Sequence, residues 1–218
     1  MRIGNRQSTI DNLKDIQQDI LVLRSRKQVD SIVRWVGKDK QRFAALMKLY
    51  LSRPGGQVLD GDAGQDDKIS RHAAWVVAHC VERHPELAVP WLKSIVKKIQ
   101  EPGIHEALRR TGISVLLYSE IPASLQGAVA NICFSYITDL KISIAPRAGA
   151  IKVLARIAEH KTELALELQT VVEQMLPYST AAFRSCARHI LKSVPKGEPL
   201  NRREEEDKFL NDWLLMKK

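Results

Sequence analysis

Four arginines at nearly constant spacing are the residues of this sequence best suited to bind a ligand. They follow one another at steps of 39, 37 and 37 residues: Arg71, Arg110, Arg147 and Arg184. Residues at equivalent positions in stacked helices form a line, and a line of guanidinium groups can hold an acidic peptide or a phosphate backbone. The structural alternative is that each arginine bonds to a loop carbonyl or to an acidic residue between repeats.

Trp75 is the large aromatic residue that accompanies this column of arginines. It follows Arg71 on the same predicted helix, and Asp66 and Asp67 precede both. Indole rings combine a large apolar area with one polar group, which suits them to binding surfaces as well as to cores. We therefore include Trp75 among the candidate ligand-binding residues, with packing in the core as the alternative.

Motifs for metals, cofactors and catalysis are absent. The aspartates from Asp60 to Asp66 are spaced similarly to a calcium loop, but Gln65 stands where that loop needs glycine and Arg71 where it needs glutamate. His72 and His79 lie two helical turns apart, too far for a compact tetrahedral site. No phosphate-binding glycine loop, HExxH motif or nucleophile elbow occurs. The sequence predicts no metal, no cofactor and no enzymatic activity.

The composition is that of a soluble protein with one large domain or one repeat array. Of 218 residues, 44% are hydrophobic and 27% are charged. No apolar run approaches the roughly 18 residues of a membrane span, and the first residues lack the apolar stretch of a secretory signal. The cysteines have neither zinc-site nor disulfide-framework spacing: Cys80, Cys133 and Cys186. The predicted location is the reducing cytoplasm.

Positive charge is concentrated at the two ends of the chain. The formal net charge is +9, from 34 basic and 25 acidic residues. Residues 1–60 hold 12 basic against 6 acidic residues, residues 61–140 hold 8 against 9, and residues 141–218 hold 14 against 10. A basic face for a polyanion is one interpretation of this excess, and a solvated surface that maintains solubility is the other.

The arginines belong to a longer repeated pattern. Two residues after each arginine the side chain is small, and two adjacent apolar positions recur six and seven residues after it. The small residues are Ala73, Gly112, Gly149 and Cys186. Small residues let neighbouring helices approach closely, while the apolar positions supply a buried stripe. A period of this length indicates a stacked array of helix pairs, because one pair cannot bury its apolar face alone.

The sequence divides into three predicted segments. Residues 1–26 are an N-terminal helix or arm, residues 27–193 are the array, and residues 194–218 are a linker followed by a C-terminal helix. The array is interrupted by a glycine- and aspartate-rich loop at 54–66, which is too rich in turn residues for regular structure.

Single residues predict where several helices begin, end or bend. Gly37 is expected to terminate the helix that starts near residue 27, because glycine tolerates the backbone conformation of a C-terminal cap. A helix is expected to begin at residue 68, after the loop. Pro90 should kink the helix that starts at Pro85, and Ser179 is expected to cap the last helix of the array.

The pattern resembles HEAT repeats, a class of armadillo-like α-solenoid. The features that carry the resemblance are the helix pairs, the period of 37–39 residues, the arginine with its small neighbour, and the proline-kinked first helix, over residues 27–193. The resemblance implies an all-α, right-handed α-α superhelix of about five irregular helix pairs, with the second helices on the concave face. The turn aspartate of the family is matched by Asp67 before Arg71, but not clearly before the other three arginines.

The resemblance implies a non-enzymatic scaffold that binds a protein or peptide on its concave face. The alternative is a nucleic-acid-binding protein related to the HEAT-like alkylpurine DNA glycosylases, which hold damaged DNA with concave tryptophans and an aspartate. Trp75 with Asp66 and Asp67 gives only a partial match, since the sequence has no tryptophan and aspartate cluster like theirs. No membrane partner is expected, and the oligomeric state stays open.

Overall fold

The computed structural model describes residues 13–52 and 63–192, and all the regular structure in these residues is helical. A 3-10 helix over Pro85–Trp91 precedes α5. The ten α-helices of the described residues are α1 (Leu13–Leu21), α2 (Arg26–Val36), α3 (Lys40–Leu51), α4 (Ala63–Arg83), α5 (Leu92–Ile99), α6 (Glu106–Tyr118), α7 (Ala123–Thr138), α8 (Ile144–Ile157), α9 (Thr162–Met175) and α10 (Ala181–Leu191). The predicted all-α class of stacked helix pairs is confirmed.

Local hydrogen bonds explain where α2 and α3 begin and end. Ser25 and Gln28 form a capping box: the Ser25 hydroxyl accepts the Gln28 amide, and the Gln28 side chain accepts the Ser25 amide. Gly37 ends α2 with φ of 48°, in the left-handed region that favours glycine, as its position predicts. The carboxylate of Asp39 caps α3 by accepting the amides of Gln41 and Arg42, and the Arg42 bond is the main reason why the pKa of Asp39 is lowered.

Three of the predicted boundaries differ from the structure. Helix α4 begins at Ala63 rather than at residue 68, because the acidic residues that follow suit the positive end of a helix dipole. The part of the predicted loop before Ala63 lies outside the described residues. The segment with Pro90 is a separate 3-10 helix rather than a kinked α-helix, since proline cannot donate an intrahelical hydrogen bond. Thr180, not Ser179, caps α10 by accepting the amide of Phe183.

The chain forms two compact units that divide after Ala128, within α7. In the N-terminal unit, α4 is the central helix and packs against α1, α2, α3 and α6. Its fully buried side chains include Val76, Val77 and Cys80. Burial of each apolar side chain of this size contributes about 1.5–3 kcal/mol, so this face of α4 stabilises the unit substantially. Helix α1 buries Ile16 and Ile20 and is part of this unit.

Polar contacts fix the packing of α6 inside the N-terminal unit. The Tyr50 hydroxyl on α3 donates to the Leu108 carbonyl at 3.1 Å, and the Thr111 hydroxyl donates to the Ala74 carbonyl of α4 at 3.1 Å. Next to Thr111, Gly112 lies against the side chains of Ile99 and Tyr50. Gly112 therefore allows the close approach of helices that the sequence predicts for a small residue at this position.

In the C-terminal unit, α8 packs against α9 and α10. Nearly all of α8 from Pro146 onward is buried, including the basic residues Arg147 and Lys152. A helix that is buried around most of its circumference needs partners for its polar side chains, because an unsatisfied buried donor costs free energy. The N-terminal arm before residue 13 and the predicted linker and C-terminal helix after residue 193 lie outside the described residues and stay predictions.

Candidate functional site

Arg71 lies on α4 with 36% of its side chain exposed. Its Nε donates to the Asp67 carbonyl at 3.2 Å and pairs with the Asp67 carboxylate, also at 3.2 Å, one turn earlier in the same helix. Its Nη1 lies 3.5 Å from Nε2 of His105, at the start of α6. The Asp67 pairing orients the guanidinium through Nε, so that its outer nitrogens are directed towards α6.

His105, which contacts Arg71, belongs to no sequence motif that would have indicated it. Its Nδ1 accepts the backbone amide of Ala107 at 3.0 Å and so caps α6. In a neutral ring with Nδ1 as the acceptor, the proton is on Nε2, which faces Arg71. Two donors are therefore close together, and a carboxylate or phosphate oxygen to the side of the pair, within hydrogen-bond distance of both nitrogens, would accept from both.

Trp75 lies one turn after Arg71 on α4 and is 38% exposed. Most of the surface of this residue is therefore covered by the protein, and the remainder faces solvent. Arg110, on the neighbouring α6, is also exposed. We call the half-buried Arg71 and the exposed Trp75, His105 and Arg110 of these two packed helices the α4–α6 face. Arginine and tryptophan are the residue types most enriched among those that dominate binding energy at protein interfaces.

Arg147, the third member of the predicted column, is buried in the C-terminal unit, with 4% of the residue exposed. Its Nε and Nη2 donate to the Ile137 carbonyl at 3.2 and 2.9 Å, and Nη2 also donates to the Ser179 hydroxyl at 3.1 Å. The guanidinium lies 4.2 Å above the ring of Phe183. Burial lowers the pKa of Arg147, and the charge of Asp139 opposes this.

These contacts of Arg147 connect the end of α7 and the turn before α10 to α8. They also explain why Ser179 does not cap α10, since its hydroxyl accepts from Arg147 and donates to the Met175 carbonyl. Arg184 bonds to the same turn, because its Nη1 donates to the Ser179 carbonyl at 2.6 Å. Both arginines of this unit have the loop contacts of the structural alternative, so we leave them out of the binding face proposed below.

Two features of the structure agree with a comparison against known families. Helices pack closely where a residue is small, and arginines donate hydrogen bonds to the turns between helices. A family model described as a HEAT repeat domain matches residues 16–194. The chain is a member of the HEAT repeat family. No curated protein and no solved structure matches it. The HEAT repeat assignment therefore gives the architecture, and the functional argument depends on the surface of this chain.

A second charged cluster in the HEAT repeat protein joins α2 to α4. Arg26 Nη1 lies 3.0 Å from Nε2 of His79, and Nδ1 of His79 lies 2.9 Å from the Glu82 carboxylate. The hydrogen bond from His79 is the main cause of a lowered pKa for Glu82. Asp30 pairs with Arg26 at 3.2 Å and with Arg83 at 3.5 Å. These groups satisfy one another across the two helices, which is a structural role.

Metal-ligating side chains are not clustered in the described residues. No group of three or more histidine, cysteine, aspartate or glutamate side chains among them is arranged to hold a metal ion. In the same part of the chain, no helix is both long and apolar enough to cross a bilayer.

The three thiols are expected to be unreactive in the folded HEAT repeat protein. Burial raises the pKa of Cys80 to about 12 and that of Cys186 to about 11, with small opposing effects from Arg83 and Lys152, and burial also raises the pKa of Cys133. Only the thiolate attacks a disulfide reagent, and at about pH 8 almost none is present on these residues. A thiol titration with an aromatic disulfide reagent should show slow reaction in buffer and rapid reaction of three thiols in denaturant. Fast native labelling of Cys133 would contradict its burial.

Proposed function

We propose that this HEAT repeat protein is a non-enzymatic scaffold that binds a protein or peptide on the α4–α6 face. The observation that supports this most directly is the exposure of Trp75, an indole of 38% exposure that lies one turn after Arg71 on α4. A large apolar ring left in water costs solvation free energy that a partner can recover. A repeat array presents an extended surface rather than an enclosed pocket, which favours a macromolecular ligand.

The polar groups of the α4–α6 face suggest the chemistry of the partner. Arg71 Nη1 and the Nε2–H of His105 converge, with a separation of 3.5 Å between the nitrogens. Such a pair suits one carboxylate oxygen of an acidic residue or of a chain terminus. The partner segment should therefore place an acidic group next to an apolar side chain that covers the indole.

Localisation in the cytoplasm is part of this proposal. Cys80, Cys133 and Cys186 are all free, and unpaired buried thiols persist most readily in a reducing compartment.

Replacing Trp75 by alanine should weaken binding of the partner by about 30-fold, the loss expected for a tryptophan that contributes about 2 kcal/mol to an interface. The measurement is quantitative mass spectrometry of proteins retained from a lysate of the native host by immobilised wild-type and variant protein. The matched control is Tyr178→Ala, which removes an aromatic side chain of 73% exposure from the C-terminal unit. Equal loss from both variants, or no loss from Trp75→Ala, would remove the α4–α6 face as the binding surface.

A further inference from the structure

The unbalanced charge of the N-terminal unit lies on α2 and α3. Between Arg24 and Lys48 the chain has eight basic residues and two acidic ones. From Ala63 to Ala128, the largest other described part of the same unit, there are eight basic and seven acidic residues, and residues 13–23 include one basic and two acidic residues. The excess of positive charge is therefore not spread over the unit, and a local concentration of this kind creates a potential that attracts anions.

Helical spacing places part of this charge in a line on α2. One face of α2 is buried through Val29, Ile32, Val33 and Val36. The exposed residues Lys27, Ser31 and Arg34 are spaced by four and three residues, so they lie along one exposed face. Lys38 follows the Gly37 cap and is exposed as well. We call Lys27, Arg34 and Lys38 the α2 stripe.

The two acidic residues of the segment are occupied by other partners. Asp30 pairs with Arg26 and Arg83, and Asp39 caps α3 and lies 3.5 Å from Arg42. Arg34 has one contact, a hydrogen bond of 3.3 Å from Nε to the Asp30 carbonyl. Within the described residues, no carboxylate forms an ion pair with any residue of the α2 stripe. In the part of the chain that the structure describes, no ion pair therefore neutralises the charge of the stripe.

We propose that the α2 stripe binds the phosphate backbone of a nucleic acid without reading its sequence. Lysine, arginine and serine are typical phosphate-contacting residues, and they are what this face of α2 exposes. At 1.5 Å per helical residue, Lys27 and Arg34 are about 10 Å apart, close to three nucleotide steps of about 3.4 Å. The segment from Arg24 to Lys48 exposes no large apolar side chain. A protein interface core or a membrane-inserting helix would need such side chains.

This site is independent of the α4–α6 face and of the protein-binding function proposed there. It also differs from the arginine column as a source of nucleic-acid affinity, because Arg147 is buried and Arg184 bonds to the Ser179 carbonyl. The nucleic-acid alternative that the basic ends of the sequence suggest is thereby assigned to a specific helix.

The test is fluorescence anisotropy of a labelled mixed-sequence DNA duplex of roughly 20 base pairs, titrated with full-length protein at about 50 and 200 mM salt. Three phosphate contacts should make the affinity fall about 40-fold between these salt concentrations. The triple variant Lys27→Gln, Arg34→Gln, Lys38→Gln should bind at least about tenfold more weakly than wild type at the lower salt concentration. The control is Lys68→Gln, Lys93→Gln, Lys97→Gln, which removes three exposed lysines of the same unit and the same net charge.

Retained binding in the control and loss in the stripe variant would support the proposal. Absence of wild-type binding at low salt would overturn it, and so would an equal loss in both triple variants, because net charge alone would then explain the affinity. A matched RNA duplex and a single strand should compete, since they carry the same phosphates. Competition by polyglutamate as strong as that by the duplex would assign the stripe to acidic proteins instead.

Discussion

Replacing Arg147 by alanine should lower the free energy of unfolding by about 3–5 kcal/mol. The substitution deletes three hydrogen bonds and leaves the Ile137 carbonyl and the Ser179 hydroxyl without this donor inside the C-terminal unit. It also removes the stacking of the guanidinium on Phe183 and leaves a cavity in its place. For a chain of this size the expected loss corresponds to a decrease in Tm of about 10 °C.

Thermal unfolding followed by circular dichroism measures this effect. Arg147→Lys keeps the charge but cannot reach both acceptors with a planar fork, so its Tm should lie between those of wild type and the alanine variant. The control is Arg188→Ala, because Arg188 is exposed on α10 and its loss should change stability by no more than about 0.5 kcal/mol. An Arg147→Ala protein that melts with the wild type would show that Arg147 is not buried as described.

Gly112→Ala should destabilise the N-terminal unit by about 1–3 kcal/mol, although alanine is the better helix former. A Cβ at this position would overlap with Cγ2 of Ile99 and lie 3.2 Å from the Tyr50 hydroxyl. Cγ2 is attached directly to the branched Cβ of Ile99, so the side chain cannot move away without a change of rotamer or backbone. The Tyr50 bond to the Leu108 carbonyl would be disturbed at the same time.

The chain provides a matched control in Gly127, which lies inside α7 with open space where a Cβ would be added. Gly127→Ala should raise the free energy of unfolding by about 0.5–1 kcal/mol, because alanine loses less backbone entropy in a helix. Denaturant unfolding curves of the two variants should therefore shift in opposite directions. Shifts of the same sign would mean that Gly112 does not contact α5 as the structure shows.

Local signals in the sequence located some helix boundaries and not others. Gly37 ends α2 as predicted, since its role depends on neighbouring residues alone. The predicted start of α4 was wrong. The glycines and aspartates after Pro54 favour a loop by composition, but the last of them also suit the N-terminus of a helix. Composition alone does not show at which residue the loop ends and the helix begins.

The surroundings of the arginines could not be predicted from their repeated pattern. Arg71 and Arg147 occupy equivalent positions, yet Arg71 is half-buried and Arg147 is fully buried. The acceptors of Arg147 are Ile137 and Ser179, which lie 10 and 32 residues away on other segments and come within reach only after the helices have packed. His105 was missed for the same reason. It contacts Arg71 from the start of a different helix, and no sequence motif connects the two residues.

The measurement that tests the central claim most directly is photo-crosslinking from position 75. A photoreactive phenylalanine derivative would replace Trp75 in the full-length protein expressed in the native host, with the same substitution at Tyr178 as the control. A binding face on α4 and α6 predicts one protein that crosslinks reproducibly from position 75 and not from position 178, and that is lost when Arg71 is also replaced by glutamine. No specific crosslink from position 75, or the same products from both positions, would contradict the account.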